Sequence, residues 1–235
     1  MLPKNGIKLI KSLSQKKFRD EYGLFTVEGE KMVEEALASG FEVKEVWRTS
    51  EIGEEAMSRI TALSSPSPAL AVVRIPAAVP FVPVAGELVL ALDSLRDPGN
   101  VGTIIRLADW FGIRTVLASR DTVDIYNPKV VQATMGAIFR VRFVYCDLPE
   151  TLSSCLAAGL PVYGTFLDGE NIYGTELTRD GVIVMGSESN GIGTAVAGLV
   201  DRRLYIPPYP ASGTGSESLN VAIATAIACS EFRRR

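Results

Sequence analysis

The chain has 235 residues, of which 47% are hydrophobic and 22% are charged, and its formal net charge is −3. This composition is typical of an ordinary soluble globular protein, and the length allows one domain or two. The chain has no run of eighteen apolar residues, its start lacks the apolar core of a signal peptide, and its net charge argues against a nonspecific nucleic-acid coat. We therefore expect a cytoplasmic protein with no membrane span.

Histidine is absent, and the three cysteines, at positions 146, 155 and 229, are far apart without metal-ligand spacing. A zinc site is therefore not expected, and reduced thiols are the simplest interpretation. The lack of histidine also removes the commonest general base. We predict a site that uses neither a metal ion nor an imidazole.

The first 75 residues or so are predicted to form a small βα module. Their hydrophobic periodicity predicts helices at 4–15, 30–39 and 54–63 and strands at 24–27, 41–47 and 69–75. Residues 1–19 carry six basic side chains and no carboxylate, and the chain closes with three arginines. Both ends could lie along a phosphate backbone, or they could be solvated helix faces.

Residues 76–86 contain three prolines, which cannot sit inside a sheet or helix, so we predict a linker there. From residue 87 the pattern becomes a regular α/β alternation. Strands are predicted at 88–92, 115–118, 141–145, 161–166, 182–185 and 203–206, and helices at about 100–111, 128–138, 149–158, 191–199 and 218–232. Strands separated by helical segments of this length predict βαβ units and a parallel sheet that is covered on both faces.

The first stretch with chemical interest reads ALDSLRDPGNVGTIIRLADWFGI. Asp97-Pro98-Gly99-Asn100 is a turn sequence, and we expect Asn100 to cap the helix that follows. Arg106 falls on a different face from the apolar stripe, where it could point back toward the loop or simply be solvated. Trp110, one turn later, could stack on its guanidinium.

Two further loops each leave a strand and enter a helix. One loop lies within VIVMGSESNGIG, and the other lies within RRLYIPPYPASGTGSESLN. Loops of this kind can meet at the carboxyl edge of a parallel sheet, where open α/β folds bind their ligands, so we place the site there. Asn127 and Pro128 form an N-cap and first-turn pair, and Thr165 and Phe166 end a predicted strand, where ordinary packing also explains them.

These stretches carry a resemblance. DPGNVGTIIRLADWFG, IVMGSESNGIG and IPPYPASGTGSESLNVAIATA resemble, in order, the three motifs of the SpoU (TrmH-like) RNA 2′-O-ribose methyltransferases of the SPOUT superfamily. The opening KNGIKLIKSLSQKKFRDEYGLFTVEGEKMVEEALASG is similar to their accessory L30e-like substrate-binding domain. The resemblance covers nearly the whole chain. It implies an L30e-like domain at 1–75, a linker at 76–86 and, at 87–235, a SPOUT α/β domain with a C-terminal deep trefoil knot.

The resemblance also implies a homodimer, S-adenosylmethionine as cofactor, and an RNA substrate. By motif match, the implied catalytic and substrate-binding residues are Asn100, Arg106, Glu188, Ser218 and Asn220. The implied cofactor-binding residues are Thr165, Phe166, Gly186, Ile206 and Leu219. The loop between Ile206 and Ser218 is longer than is usual in the family, and SSPSPALAVV stands where Thr-Pro-Gln-Gly is common, which weakens any transfer of contacts at those places.

Several alternatives remain open. An L30e-like domain favours ribosomal RNA as substrate, but transfer RNA is the alternative, as is a knotted RNA-binding protein that has lost catalysis. An unrelated mononucleotide enzyme would need a glycine-rich phosphate loop, and neither GxGxxG nor GxxxxGK[ST] occurs.

Overall fold

The computed structural model describes residues 3–210 and 218–234. The chain divides into two compact units, the first made of residues 1–78 and 124–140 and the second of residues 79–123 and 141–235. Residues 124–140 therefore belong to the first unit although they follow the predicted linker. The domain boundaries at 75 and 87 stay a prediction. In the described part of the chain no helix has the length and apolar character needed to cross a membrane.

The first unit is built on a three-stranded antiparallel sheet with the order β1-β3-β2. Its strands are β1 (Leu24–Glu28), β2 (Val43–Arg48) and β3 (Ala69–Arg74). Its helices before residue 78 are α1 (Lys4–Ser12), α2 (Lys16–Tyr22), α3 (Glu30–Ala38), α4 (Thr49–Ile52) and α5 (Glu54–Ser58). The predicted helix at 4–15 ends at Ser12, and the structure adds α2, which the sequence pattern did not indicate. The predicted helix at 54–63 is shortened to α5, and the structure adds the short helix α4 before Gly53.

The segment 124–140 packs on this sheet through aromatic rings. It contains α7 (Pro128–Thr134) and a 3₁₀ turn (Ala137–Phe139). The ring of Tyr126 lies 4.7 Å from that of Phe25, and the ring of Phe139 meets that of Phe41 edge to face at 5.2 Å. Asn127 caps α7 by accepting a hydrogen bond from the backbone N–H of Lys129, as predicted. The segment is thus a structural part of the first unit.

A buried ion pair fastens the same segment. Arg19 is only 2% exposed and donates to the Asp124 carboxylate at 2.6 and 3.0 Å and to the carbonyl oxygens of Leu13 and Ser14. A buried guanidinium that loses its carboxylate keeps its desolvation cost without compensation. We therefore expect Asp124→Asn to lower the free energy of unfolding by about 3 kcal/mol in urea titrations. The exposed pair Lys16–Asp20 provides the control, since Asp20→Asn should cost less than about 1 kcal/mol; equal losses would contradict this account.

The second unit holds a six-stranded sheet with the order β6-β5-β4-β8-β7-β9, in which all pairings are parallel. This confirms the predicted α/β class with a parallel sheet. Its strands are β4 (Leu88–Asp93), β5 (Thr115–Ser119), β6 (Arg142–Cys146), β7 (Val162–Asn171), β8 (Gly181–Gly186) and β9 (Arg202–Tyr205). Its helices are α6 (Pro98–Trp110), α8 (Leu148–Ala157), α9 (Thr194–Ala197) and α10 (Val221–Arg234).

Helices cover the two faces of this sheet. Val162 points to one face, where it joins a cluster with Leu152 of α8 and Val196 of α9. The next residue, Tyr163, points to the other face and meets Phe232 of α10 edge to face at 4.9 Å.

The three cysteines are free, and burial raises the pKa of the Cys229 thiol to about 12 and that of Cys155 to about 11, so both stay protonated at neutral pH.

Three elements of this unit differ from the predictions. β7 runs to Asn171 instead of ending at Phe166, because its exposed second half pairs with β9 beyond a bulge. The helix predicted at 191–199 shrinks to the single turn of α9, and α10 begins at Val221 rather than at residue 218. The trefoil knot stays a prediction, and residues 211–217 of the predicted last loop lie outside the described residues.

Candidate active site

Three polar side chains from different parts of the second unit meet where β4 and β8 end. The side-chain amide of Asn100 donates a hydrogen bond to the Glu188 carboxylate, and the amide of Asn220 donates to the Asn100 side-chain oxygen at 2.9 Å. Each residue comes from a different one of the three motif stretches. The structure therefore joins all three stretches in one polar cluster, which we call the Asn-Glu-Asn cluster.

Local backbone structure places Asn100 in this cluster. The cap of α6 is Asp97, whose carboxylate accepts the backbone N–H of Asn100 at 2.8 Å. The prediction that Asn100 itself caps the helix was wrong, because Pro98 takes the first helical position and shifts the cap one residue upstream of it. Asn100 lies in the first turn, and its side chain is left to reach Glu188.

Asn220 has two roles. Its side-chain oxygen accepts the backbone N–H groups of Ala222 at 3.0 Å and of Ile223 at 3.4 Å, so it caps α10. Its side-chain N–H₂ remains available for Asn100. Because a carboxamide carries both an acceptor and donors, one residue starts the last helix and ties it to the first motif.

Gly186 closes β8 at a point where no side chain fits. A Cβ at this position would overlap with the carbonyl group of Gly191 and the backbone nitrogen of Ile192. Ser187 and Gly191 exchange two backbone hydrogen bonds at 2.8 and 3.1 Å, and Gly191 has a φ of +63°, which favours glycine. The loop after β8 is thus folded back tightly onto the end of its own strand.

Asp93 holds this loop from the neighbouring strand, and sequence reasoning missed it. Its side chain is 7% exposed, and its carboxylate accepts the backbone N–H of Gly193 at 2.7 Å and the hydroxyl of Ser94 at 3.1 Å. Ser94 has a φ of +59°, unusual for a residue with a side chain. The sequence did contain one signal for this residue, since Asp93 is the single carboxylate at the end of an otherwise apolar strand.

Removing this carboxylate takes away the acceptor of the Gly193 N–H in a partly buried hydrogen bond. We expect Asp93→Ala to lower the free energy of unfolding by about 1–3 kcal/mol in chemical denaturation. The exposed Glu176, whose side chain makes no hydrogen bond to another described residue, supplies the control. Glu176→Ala should leave the denaturation midpoint within about 0.5 kcal/mol of the parent; a comparable loss at both positions would argue against a special role of Asp93.

Thr165 and Phe166 lie on β7 beside the same loop. The Thr165 hydroxyl is 3.5 Å from the Val184 carbonyl oxygen. A Cβ at Gly164 would meet both the ring of Phe166 and the side chain of Ile192, so the ring and the loop after β8 are close neighbours. This contact brings the predicted cofactor residues of β7 and β8 together.

The ring of Phe166 is fixed by a cation. The guanidinium of Arg203 lies 3.6 Å from its centroid and also donates to the Asp168 carboxylate at 2.6 Å. The hydrogen bond from Arg203 holds the pKa of Asp168 below its usual value, so this carboxylate stays ionised at neutral pH. One face of Phe166 is thus covered, which restricts how the ring can turn.

The remaining predicted residues are not joined to the Asn-Glu-Asn cluster by hydrogen bonds. Arg106 is exposed on α6 and makes no hydrogen bond or ion pair to another described residue, and no stacking with the exposed Trp110 is seen there. Ser218 and Leu219 are exposed just before α10, and Ile206 is half-buried after β9. The structure therefore places Ile206, Ser218 and Leu219 beside the ends of β9 and α10 and places Arg106 within α6.

The groups available at the site suit an organic ligand that is held by hydrogen bonds and ring contacts. Among the described residues no group of three or more Asp, Glu or Cys side chains is placed to hold a metal ion. The available groups are backbone amides and carbonyls around a glycine cradle, side-chain amides, one carboxylate and an aromatic ring. Hydrogen-bonding groups beside an aromatic ring are typical of pockets that bind a small organic molecule.

Comparison with protein families gives two matches that together span most of the chain. Residues 87–230 match the SpoU rRNA Methylase family, and residues 4–75 match the MRM3-like substrate binding domain.

Individual relatives agree with these matches. The chain is 33% identical to the 23S rRNA (guanosine(2553)-2′-O)-methyltransferase RlmP of Bacillus subtilis, over 92% of this chain and 91% of that protein. A TrmH-family structure from Porphyromonas gingivalis is 41% identical with a TM-score of 0.88, covering 100% of this chain and 99% of that one. An AdoMet-bound rRNA methyltransferase from Sinorhizobium meliloti is 31% identical with a TM-score of 0.88, covering 100% and 96%.

Proposed function

Since this chain belongs to the SpoU rRNA Methylase family, we propose that its active site transfers a methyl group from S-adenosylmethionine to a ribose 2′-hydroxyl of ribosomal RNA. The Asn-Glu-Asn cluster is the observation that carries the proposal. It draws the three motif stretches, which are far apart in the chain, into one hydrogen-bonded group at the carboxyl edge of a parallel sheet.

The loop after β8 is the proposed cofactor site. Gly186, with no side chain, lets this loop fold back onto the end of β8, and Thr165, Phe166, Ile206 and Leu219 would flank the nucleoside. When bound, S-adenosylmethionine supplies an electrophilic methyl group on a sulfonium. Asp93 and Arg203 act as positioning residues, since they hold the loop and the ring of Phe166 in place.

The remaining residues would orient the ribose and balance its charge. In-line transfer needs the attacking oxygen held in place more than it needs acid or metal chemistry. Asn100, Glu188, Ser218 and Asn220 offer hydrogen-bond donors and acceptors for the sugar. The Arg106 guanidinium offers hydrogen-bond donors only and has no acceptor for the ribose proton, so its role is to stabilise the developing alkoxide, with the proton leaving to an RNA phosphate or to water.

Radiolabelled methyl transfer to bulk ribosomal RNA and bulk transfer RNA tests the reaction and its substrate class together. We expect incorporation into ribosomal RNA that resists mild alkali, since a 2′-O-methyl group blocks cleavage at the neighbouring phosphate. Incorporation into transfer RNA alone would favour the alternative substrate. Tight binding of S-adenosylhomocysteine without transfer to either RNA would indicate an RNA-binding protein that has lost catalysis.

A homodimer is part of the proposal. Two large apolar side chains are exposed on helices that pack together, Trp110 of α6 (83% exposed) and Ile223 of α10 (53%). A second copy of the chain would cover them, and because Arg106 lies on the same helix, the interface would adjoin the site. Ribosomal RNA as the proposed substrate supports a cytoplasmic location for the enzyme.

The interface can be tested by a charge. Trp110→Lys is expected to convert the protein to a monomer in light-scattering chromatography at micromolar concentration, because an unpaired ammonium in an apolar interface is costly. Val82→Lys, at an equally apolar exposed position outside these helices, should leave the mass unchanged. A wild-type chain that runs as a monomer would refute the dimer directly.

A further inference from the structure

The first compact unit contains a cavity of about 290 Å³ that the proposed methyl-transfer site does not use. It is lined by one face of β1, by the chain just after α5, and by α7. Its volume lies at the lower end of the range for small-molecule pockets, about 300–1,000 Å³. A single planar heterocycle is a ligand of suitable size.

The wall on β1 is polar although it is buried. Alternation along the strand puts Phe25 and Val27 on one face and Thr26 and Glu28 on the other, and these two polar residues line the cavity at 7% exposure each. Buried polar side chains on a strand face require partners. The partners of Thr26 and Glu28 therefore show whether the cavity wall is complete without a ligand.

The Glu28 carboxylate uses only part of its hydrogen-bonding capacity, and the Thr26 hydroxyl uses none of its own among the described residues. The Glu28 carboxylate accepts the Thr61 hydroxyl at 2.6 Å and the backbone N–H of Ala62 at 2.8 Å, one bond on each oxygen. A carboxylate has about four lone-pair sites, so each oxygen can accept another donor. The Thr26 hydroxyl has no hydrogen-bond partner in the described part of the chain, and because it is open to the cavity it is free to bond to a ligand group there.

The other walls indicate what the ligand looks like. Leu63 and Val131 offer apolar surfaces, while Lys129 and Gln132 of α7 add polar groups, and Lys129 is exposed to solvent. The cavity thus suits a flat ring with apolar faces, donors on the edge toward Glu28, and an acceptor for the Thr26 hydroxyl. The Lys129 ammonium is available for an adjoining phosphate.

We propose that this cavity binds a guanine base of the RNA substrate, extruded from its stack, with its N1–H and N2–H₂ donors on Glu28. Guanine is the RNA base that presents two adjacent donor groups and a carbonyl acceptor on one edge. Sequence-specific proteins read single-stranded RNA by such contacts to base edges. The proposal rests on the proposed function, because it assigns the cavity to recognition of the same RNA at a second place.

Mononucleotide binding to the full-length chain tests base selectivity without catalysis. Calorimetry with 5′-GMP and 5′-AMP should show GMP preferred by about tenfold or more, as expected for one bidentate contact. Glu28→Gln, which puts an amide donor against the guanine donors, and Ala133→Leu, which fills the cavity from α7, should each weaken GMP by about tenfold. Glu34→Gln, an exposed carboxylate of the same unit, is the matched control and should bind GMP as the wild type does.

Methyl transfer to ribosomal RNA then distinguishes a cavity that binds an RNA base from one that binds a free nucleotide. Glu28→Gln and Ala133→Leu should raise KM for RNA several-fold and leave the affinity for S-adenosylhomocysteine unchanged. If Glu28→Gln is unstable in thermal melts, Ala133→Leu carries the test, since it removes no hydrogen bond. Equal binding of GMP and AMP, GMP binding that the variants do not affect, or an unchanged KM for RNA would each overturn the proposal. Absence of methyl transfer by the wild type would instead refute the proposed function.

Discussion

Replacing Gly186 with alanine is expected to weaken S-adenosylhomocysteine binding by about 100-fold. The new methyl group would overlap with the backbone of Gly191 and Ile192, which cannot move aside as a flexible side chain can. Overpacking of this kind costs up to about 3 kcal/mol, which corresponds to roughly 100-fold in a dissociation constant if the loop reopens to relieve it. Calorimetry on the purified variant measures the loss.

The control is another glycine of the same unit. A Cβ at Gly174 would meet its nearest neighbour, the Asn171 carbonyl oxygen, at an ordinary distance of 3.8 Å, and this residue has no positive φ. Gly174→Ala should therefore bind S-adenosylhomocysteine as the wild type does. Tight binding by Gly186→Ala would show that the cofactor lies elsewhere, and the cofactor assignment would have to be withdrawn.

Arg106→Lys is expected to lower kcat at saturating RNA by about 100-fold, and Arg106→Ala by about 1,000-fold. Loss of one pre-placed donor to a developing oxyanion costs about 10²–10³ in rate. Lysine keeps the charge but loses the planar fork that can bind an oxyanion and a phosphate together. Because Arg106 is exposed and makes no hydrogen bond to another described residue, neither change should alter the melting temperature.

Arg114, exposed in the same unit, is the matched control. Arg114→Lys should retain full turnover and RNA affinity. Nearly full turnover by Arg106→Lys would eliminate the bidentate role, and nearly full turnover by Arg106→Ala would remove this side chain from the mechanism altogether.

Much of the second unit could be predicted from the sequence because its strands are short apolar runs. All six residues of β4 and the first five of β8 are buried, and such runs indicate buried parallel strands without any knowledge of their neighbours. The second half of β7 was missed for the opposite reason. Leu167 to Asn171 are exposed, so only the pairing with β9 defines them as a strand.

The sequence indicated three residues that the structure brings together, but it did not indicate their contacts. Asn100, Glu188 and Asn220 come together, but the resemblance could not indicate that one asparagine would cap a helix and also bind the other. Asp93 and Arg203 act through the loop and the ring that they hold; the end of an apolar strand was the one local signal for Asp93, and Arg203 had none. Positioning residues depend on three-dimensional neighbours, which a single sequence does not contain.

The aromatic and ionic fastening of residues 124–140 has a consequence for biosynthesis. Arg19 receives its carboxylate, and Phe25 and Phe41 receive their ring partners, from a segment more than eighty residues downstream. On a translating ribosome the amino-terminal module therefore cannot complete its folding until residue 140 has emerged from the exit tunnel, because those side chains lack these partners before then. A nascent chain stalled before that point should be far more sensitive to protease than one released just beyond it.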